Sequence, residues 1–505
     1  MKDDMRKRVV QAIGASSASR GLAKVVSLLS TLVMVRLVAP EDFGLMALAM
    51  TVTGFIGFFS EIGIGTALLQ RPVINNKEVN GCFSIGLVLS LALFAASLAA
   101  SWPAALFFAM PALQPVMAVL GLGFFFGALN TIPGILLKRE LRFQTMVWSS
   151  VVGAVVQSLV AIPLAYIGMR YWAMVGAFFA GQIVVTVWLW RVTSWRPTWP
   201  PHLREGLPIL SYGLNVTYTR LLWHFYMNAD KMIIGKLLNA HAVGIYDVSR
   251  SLANMPTSQI TGMVINIAEP VFSRLQGDLP RLRDVFLRLN RGVTYLTFPA
   301  LMGIAVVAPD LVPFLLGPDK WQAAIVPMQA LCVSEAVASF SNLHSQLLIS
   351  TGHVSRLVRY TGLCAVVMPL AIAVGVWVGG LPGVAFAWAL VYPLLSIWLL
   401  RETLGVAGVS YFDFWRAIRQ PLIGAATMVT VVAMLQLALA PLDLPLVLRL
   451  AAYIAVGALT YVTYLIVIDR DGIAEIRQVL MDVGVSPNML RRWPFELRPR
   501  GKDMR

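Results

Sequence analysis

Charge is what this sequence has least of. Asp, Glu, Lys and Arg make up 13% of its 505 residues, against about 25% in a soluble globular domain. A chain of this size with 58% hydrophobic residues and a mean hydropathy of +0.74 cannot hide its apolar surface in one aqueous core. A soluble enzyme, a disordered protein and a small secreted scaffold are excluded. Cysteine is scarce too. Cys82, Cys332 and Cys364 lie far apart, with neither metal-ligand spacing nor an even disulfide count, and behave as small apolar residues. No A-x-A-like cleavage site follows the first apolar run, so that run is expected to be a retained helix and not a signal peptide. Long polar stretches are also missing. The largest are 191–206, a basic amphipathic stretch at 274–291 and the tail after 469, which leaves no room for a folded catalytic domain.

What is present is a series of apolar stretches long enough to cross a bilayer, from 10–37 to 445–468. At about 35 residues per helix and loop, roughly 14 spans fit. Gly and Pro punctuate the joins, as in Ala39-Pro40-Glu41-Asp42 and Gly379-Gly380-Leu381-Pro382. Loop charge tests the count. With the N-terminus inside and 14 alternating spans, 30 of the 40 Lys and Arg fall on the cytoplasmic face, six on the other and four within spans. One missed or extra helix would invert this bias downstream, so the split favours 14 spans with both termini cytoplasmic. The net charge of +15 is then mostly topology, aided by anionic lipid of the inner leaflet, and nucleic acid need not be invoked.

The chain also repeats itself at an offset of 200. Ser19-Arg20-x-Leu22-x-Lys24 aligns with Thr219-Arg220-x-Leu222-x-His224, Arg36-Leu37-Val38 with Lys236-Leu237-Leu238, and Gly44-Leu45 with Gly244-Ile245. Six spans separate the copies, so the halves share one orientation. The expected fold is an all-α polytopic membrane protein. It has an N-lobe of six helices over 1–195, a cytoplasmic linker at 196–206, a C-lobe of six over 207–402, two further helices within 403–469 and a basic cytoplasmic tail at 470–505.

Charge inside a span is costly and suggests function. The first span carries Ser16, Arg20, Lys24, Ser27 and Thr31 on one helical face, and the seventh carries Thr217, Arg220, His224, Asn228 and Lys231. The eighth holds Asp247, Arg250, Ser251, Asn254 and Ser258, and the tenth Glu335, Ser339, Asn342 and Gln346. Such stripes would line a net cationic cavity, and guanidinium forks in a dry cavity suit phosphate or pyrophosphate. Arg20, Lys24, Arg220, His224 and Arg250 are the candidate substrate contacts. Glu61, Asp230 and Glu335 are either buried structural acids or carriers of a coupling proton or sodium ion. Asp230–Lys231 and Asp247–Arg250 are candidate structural pairs. Arg36, Lys236 and Lys320 are expected to snorkel to the outer interface. Trp102, Trp172, Trp321 and Trp415 are expected in the interfacial belt.

Two blocks resemble a known family. Val35-Arg-Leu-Val-Ala-Pro-Glu-Asp-Phe-Gly-Leu45, followed by Glu61-Ile-Gly-Ile-Gly-Thr-Ala-Leu-Leu-Gln70, is similar to the first hairpin of the polysaccharide transporter family. Asn228-Ala-Asp-Lys-Met-Ile-Ile-Gly235 through Gly244-Ile-Tyr-Asp-Val-Ser-Arg250 is similar to its seventh and eighth helices. The family comprises Wzx-type flippases of the multidrug/oligosaccharidyl-lipid/polysaccharide exporter superfamily. The resemblance implies 14 helices, two lobes about a cationic cavity and alternating access in the bacterial inner membrane, with no catalytic residue and no cofactor. The implied substrate is an undecaprenyl-diphosphate-linked oligosaccharide moved to the periplasmic leaflet for O-antigen, capsule or exopolysaccharide synthesis. Glycosyltransferases and a polysaccharide polymerase are the implied partners. The rivals are a multidrug antiporter, for which an acidic aromatic cavity is expected, a lipid II flippase, and an O-antigen polymerase or ligase, for which a large periplasmic loop is expected. Sugar choice is expected to lie in dispersed amides such as Asn130, Gln157, Gln182 and Asn342.

Overall fold

The computed structural model describes residues 26–61, 65, 68, 69, 71, 74–198, 214–469 and 472, with backbone only for Glu61 and residues 214–223. Arg20 and Lys24 lie outside the described residues. The elements are α1 (Val26–Leu37), α2 (Pro40–Gly57), α3 (Asn76–Phe108), α4 (Leu113–Leu120), α5 (Gly123–Arg139), α6 (Phe143–Tyr166) and α7 (Tyr171–Val192). They continue with α8 (Leu214–Leu237), α9 (Ala240–Leu275), α10 (Leu279–Leu316), α11 (Ile325–Ser350), α12 (Val354–Ala407), α13 (Tyr411–Leu439) and α14 (Leu446–Val467). No strand occurs among the described residues.

Local sequence accounts for the helix ends. Pro40 opens α2 at its first turn and holds Ala39 extended at φ −76°, ψ 153°, because proline disfavours the helical region in its predecessor and needs no N–H partner at N1. Glu41 and Asp42 follow in that first turn, at the positive end of the helix dipole. Asn75 and Glu78 form a reciprocal capping box on α3, which satisfies two backbone donors that the helix leaves orphaned. Lys236 reaches the C-terminal end of α3, where its Nζ donates to the Phe107 carbonyl at 2.7 Å and lies 4.5 Å from the Phe107 ring. The helix α12 is two helices meeting at Gly379 and Gly380, the latter at φ +58°, a conformation that side-chain-bearing residues rarely adopt.

Ten segments among the described residues are long and apolar enough to cross a membrane. Helices α8 and α9 fall outside that set for different reasons: Arg220, Asp230, Lys231 and Lys236 spread charge along α8, whereas the middle of α9 is uncharged but rich in polar residues such as Asn254, Thr257, Ser258, Gln259 and Asn266. Large apolar side chains stand fully outward elsewhere, Trp377 at 88% and Leu437 at 77% exposure, as lipid requires and water would penalise. Of the tryptophans expected in a belt, Trp102 and Trp415 are exposed, whereas Trp321 is fully buried. The chain turns at Gly317, φ +102°, and Trp321 caps a short 3-10 turn, Gln322–Ala324, which draws the indole into the core.

The chain divides into two compact units, Met1–Asp247 and Val248–Arg505, with the boundary inside α9. In the first, α3 and α5 pack through Val79, Cys82, Phe83, Ile132 and Ile135. Small alanines of α6 and α7 (Ala161, Ala165, Ala173, Ala177) let those helices close on Met34 and Val38. In the second, Phe272, Phe286, Leu289, Leu343, Leu347 and Phe414 form an apolar cluster.

The 200-residue register reappears in the helix ends of the first unit. The helices α1 and α8 stop at Leu37 and Leu237, and α2 and α9 start at Pro40 and Ala240. The starts of α2 and α9 then cross with their repeat-related glycines in contact. A Cβ on Gly44 would overlap the Ala240 carbonyl oxygen and lie 2.7 Å from the Gly244 nitrogen; one on Gly244 would overlap the Pro40 carbonyl oxygen and lie 2.9 Å from the Gly44 nitrogen. Only hydrogen fits at either position. Glu41 and His241, again 200 apart, are 2.7 Å from one another.

Candidate functional site

The first unit contains a chamber of about 220 Å³ walled by α2, α7, α8 and the head of α9. Its apolar wall is Phe43, Met46, Ala47, Met50 and Met174; its polar wall is Thr51, His224, Asn228, Lys231 and Asp247. Helical spacing explains the second set. His224, Asn228 and Lys231 recur at four and three residues, so they share one face of α8.

Hydrogen bonds fix these groups. Asn228 Nδ2 donates to His224 Nδ1 at 3.2 Å, and His224 Nε2 donates to the Thr51 carbonyl across 3.4 Å. With Nδ1 accepting and Nε2 donating, the imidazole is held as one neutral tautomer. Phe55 meets it edge-on and Phe58 lies tilted against it, both at 4.7 Å. Lys231 Nζ pairs with Asp247 Oδ1 at 2.6 Å across the α8–α9 hairpin, with both side chains only partly accessible. Asp230 takes no part in the chamber. It is fully buried, with Oδ2 accepting from the Tyr246 hydroxyl at 2.7 Å and Oδ1 from the Lys231 backbone N–H at 2.7 Å. The neighbours Asp230 and Lys231 thus serve different faces of α8, and the ammonium takes its carboxylate from α9.

The other described candidates lie in the second unit. Glu335 is 9% exposed, accepts from Asn254 Nδ2 at 2.9 Å and lies within electrostatic reach of Arg250. The Arg250 guanidinium stands 4.7 Å from the centre of the Trp388 ring, a cation–π arrangement that holds a charge in an apolar setting. Ser339 is wholly buried and accepts from Thr297 Oγ1 at 3.0 Å. Arg220 and Glu61 are placed by backbone alone, in the second turn of α8 and at the end of the 3-10 turn Phe58–Glu61 that follows α2.

Sequence reasoning missed three side chains. Tyr246, Trp388 and His344 each anchor a polar group, but nothing in their spacing marks them. His344 is buried among Phe286, Phe340 and Phe414 and its Nε2 faces Asn290 Oδ1 at 3.2 Å. A histidine so caged is part of the packing. Among the described residues no group of three or more His, Cys, Asp or Glu has the placement to hold a metal ion.

Known proteins supply the remaining bearing. The chain is 23% identical over 421 residues to the lipopolysaccharide biosynthesis protein WzxC of Escherichia coli, covering 81% of this chain and 84% of that one. It is 22% identical to the teichuronic acid biosynthesis protein TuaB of Bacillus subtilis (82% and 86% covered) and 20% identical to the succinoglycan biosynthesis transport protein ExoT of Rhizobium meliloti (92% and 94%). Among solved structures, the lipid II flippase MurJ in an inward closed conformation superposes with a TM-score of 0.71 at 13% identity, over 91% of this chain and 99% of that one. An inward-facing multidrug MATE transporter superposes with a TM-score of 0.60 at 17% identity, over 78% and 99%. These likenesses establish the fold as that of an all-α, multi-pass membrane transporter. The sequence profile of the polysaccharide biosynthesis protein family matches residues 33–326, more than half of the chain, and the chain belongs to that family.

Proposed function

We propose that this chain is a flippase that carries an undecaprenyl-diphosphate-linked oligosaccharide from the cytoplasmic to the periplasmic leaflet of the bacterial inner membrane by alternating access. The observation that carries the reading is the gathering of His224, Asn228, Lys231 and Asp247 around one chamber, in a chain that belongs to a family of polysaccharide biosynthesis proteins. A transporter whose cargo is greasy at one end and charged at the other needs a polar chamber within the bilayer and lipid-facing walls beside it. The polyprenyl tail stays in lipid while the head group enters the chamber. No bond is made or broken, so no catalytic residue is required.

The described charges of the chamber, Lys231 and Asp247, balance each other. Excess positive charge for a pyrophosphate therefore comes from Arg20, Lys24 and Arg220, which precede Ser27 and His224 at helical spacing in the sequence. Fourteen spans with both termini cytoplasmic, and six-helix lobes over 1–195 and 207–402 with 403–469 appended, complete the proposed architecture. Glycosyltransferases supply the cargo and a polymerase consumes it. Coupling to a proton or sodium gradient is assigned to Glu335 in preference to Asp230, because both Asp230 oxygens are engaged, by the Tyr246 hydroxyl and the Lys231 backbone N–H. Glu335→Gln is expected to abolish gradient-driven transport while leaving passive exchange; undiminished gradient dependence would reject this role.

Arg20→Ala and Arg220→Ala test the charge assignment. Each is expected to stop export of the surface polysaccharide while the protein stays in the membrane at normal level, since losing one charged contact to pyrophosphate forfeits about 1.5–3 kcal/mol. Full export in both variants would remove these residues from the site. Complementation of a strain lacking its own flippase, with the accumulated lipid-linked sugar identified by mass spectrometry, separates this function from a lipid II flippase.

A further inference from the structure

A second pocket of about 220 Å³ adjoins the charged chamber, sharing Phe43, Met46, Met50 and Met174 with it. It bears no charge. Its polar wall is Ser27, Ser30 and Thr31 of α1 and Gln157 and Ser158 of α6. The volume equals about seven waters at roughly 30 Å³ each, the room of one pyranose ring. Thr31 and Ser158 hydroxyls donate to backbone carbonyls of their own helices, at 2.9 Å each, and keep lone pairs to offer. Ser27, Ser30 and Gln157 side chains make no hydrogen bond among the described residues. Gln157 is exposed, and in the middle of a membrane-crossing helix its amide brings two donors and an acceptor to the pocket. Packing holds it there. The helices α6 and α7 approach so closely that a Cβ on Gly181 would lie 3.3 Å from the Gly153 carbonyl oxygen and 3.4 Å from Gln157 Cβ.

Apolar walls with a few convergent uncharged donors and acceptors are the usual chemistry of a pocket for a neutral small ligand. A sugar ring matches both parts: its hydroxyls pair with serine and amide groups, and its C–H faces rest on Phe and Met. The geometry points to this pocket as the subsite for the sugar ring linked to the pyrophosphate, with Gln157 as a specificity-determining residue. Sugar and pyrophosphate are adjacent in the cargo, and the neutral pocket and charged chamber are adjacent here. Ser27 and Thr31 also continue, at helical spacing in the sequence, the stripe that holds Arg20 and Lys24. The subsite rests on the flippase reading.

The test uses the full chain in lipid nanodiscs with Ser30→Cys as the only accessible thiol, since Cys82, Cys332 and Cys364 are buried. Two probes are compared: the lipid-linked oligosaccharide extracted from cells lacking this protein, and undecaprenyl diphosphate without sugar. Binding of each is measured first. Both are expected to bind, but only the sugar-bearing lipid should slow maleimide labelling at position 30, by about tenfold at ten times its Kd. Gln157→Leu should weaken the sugar-bearing lipid about tenfold and leave undecaprenyl diphosphate unaffected. Equal protection by both probes, or none although both bind, overturns the subsite alone. If neither probe binds, the flippase reading fails and takes the subsite with it.

Discussion

Gly44→Val and Gly244→Val are each expected to remove most of the folded protein from the membrane. A Cβ at either position overlaps a backbone carbonyl oxygen of the opposing helix, and backbone has no rotamer with which to escape. The helix starts must separate, at a cost of about 3 kcal/mol or more, and with them go the Glu41–His241 contact and the α2 wall of the chamber. Gly127→Ala is the control. It lies within α5 with nothing within 4 Å of its missing Cβ, so alanine there should be neutral or stabilising by up to about 1 kcal/mol. Size-exclusion profiles of the solubilised protein measure all three. A monodisperse Gly44→Val protein at the wild-type level would show that the crossing is not tight.

The second large effect concerns Lys231 and Asp247. Lys231→Met or Asp247→Leu alone leaves the opposite, partly accessible charge without its partner within a membrane-crossing helix pair, which is unfavourable and should lower the amount of protein severalfold. The double variant leaves no stranded charge, and its protein level should recover. Export should stay lost in the double variant, because the chamber has lost both ionisable groups that face its interior beside His224. Quantitative blotting and surface-polysaccharide assay of the three strains give the answer. Recovery of export with recovery of protein would make the pair purely structural.

Much of the fold is legible in the sequence because apolar length and loop charge are properties of single segments. The turn at Ala39-Pro40, the break at Gly379-Gly380 and the 200-residue register all fall where residue types demand them. The register even aligns Gly44 with Gly244, although alignment alone does not say that the two touch. Pairing across helices is where sequence reasoning thins out. Asp230 and Lys231 are neighbours in the chain, yet consecutive residues on a helix point in different directions, so one is buried with Tyr246 while the other reaches Asp247, 16 residues away. Trp321 has the composition of a belt residue, but the turn it caps carries it into the core. Gln157 was one amide among four, and only the meeting of α1 and α6 distinguishes it from Asn130, Gln182 and Asn342.

Transbilayer movement of the cargo tests the central claim most directly. The purified chain is reconstituted into liposomes holding the lipid-linked oligosaccharide from cells lacking this protein, a proton or sodium gradient is imposed, and a membrane-impermeant oxidant of sugar diols is added outside. A flippase predicts that oxidation proceeds past the outer leaflet's share to nearly all of the lipid-linked sugar, and that Arg220→Ala liposomes stop at the outer leaflet. Oxidation that halts at the outer leaflet with the wild-type chain, under either gradient, would contradict transport of this cargo.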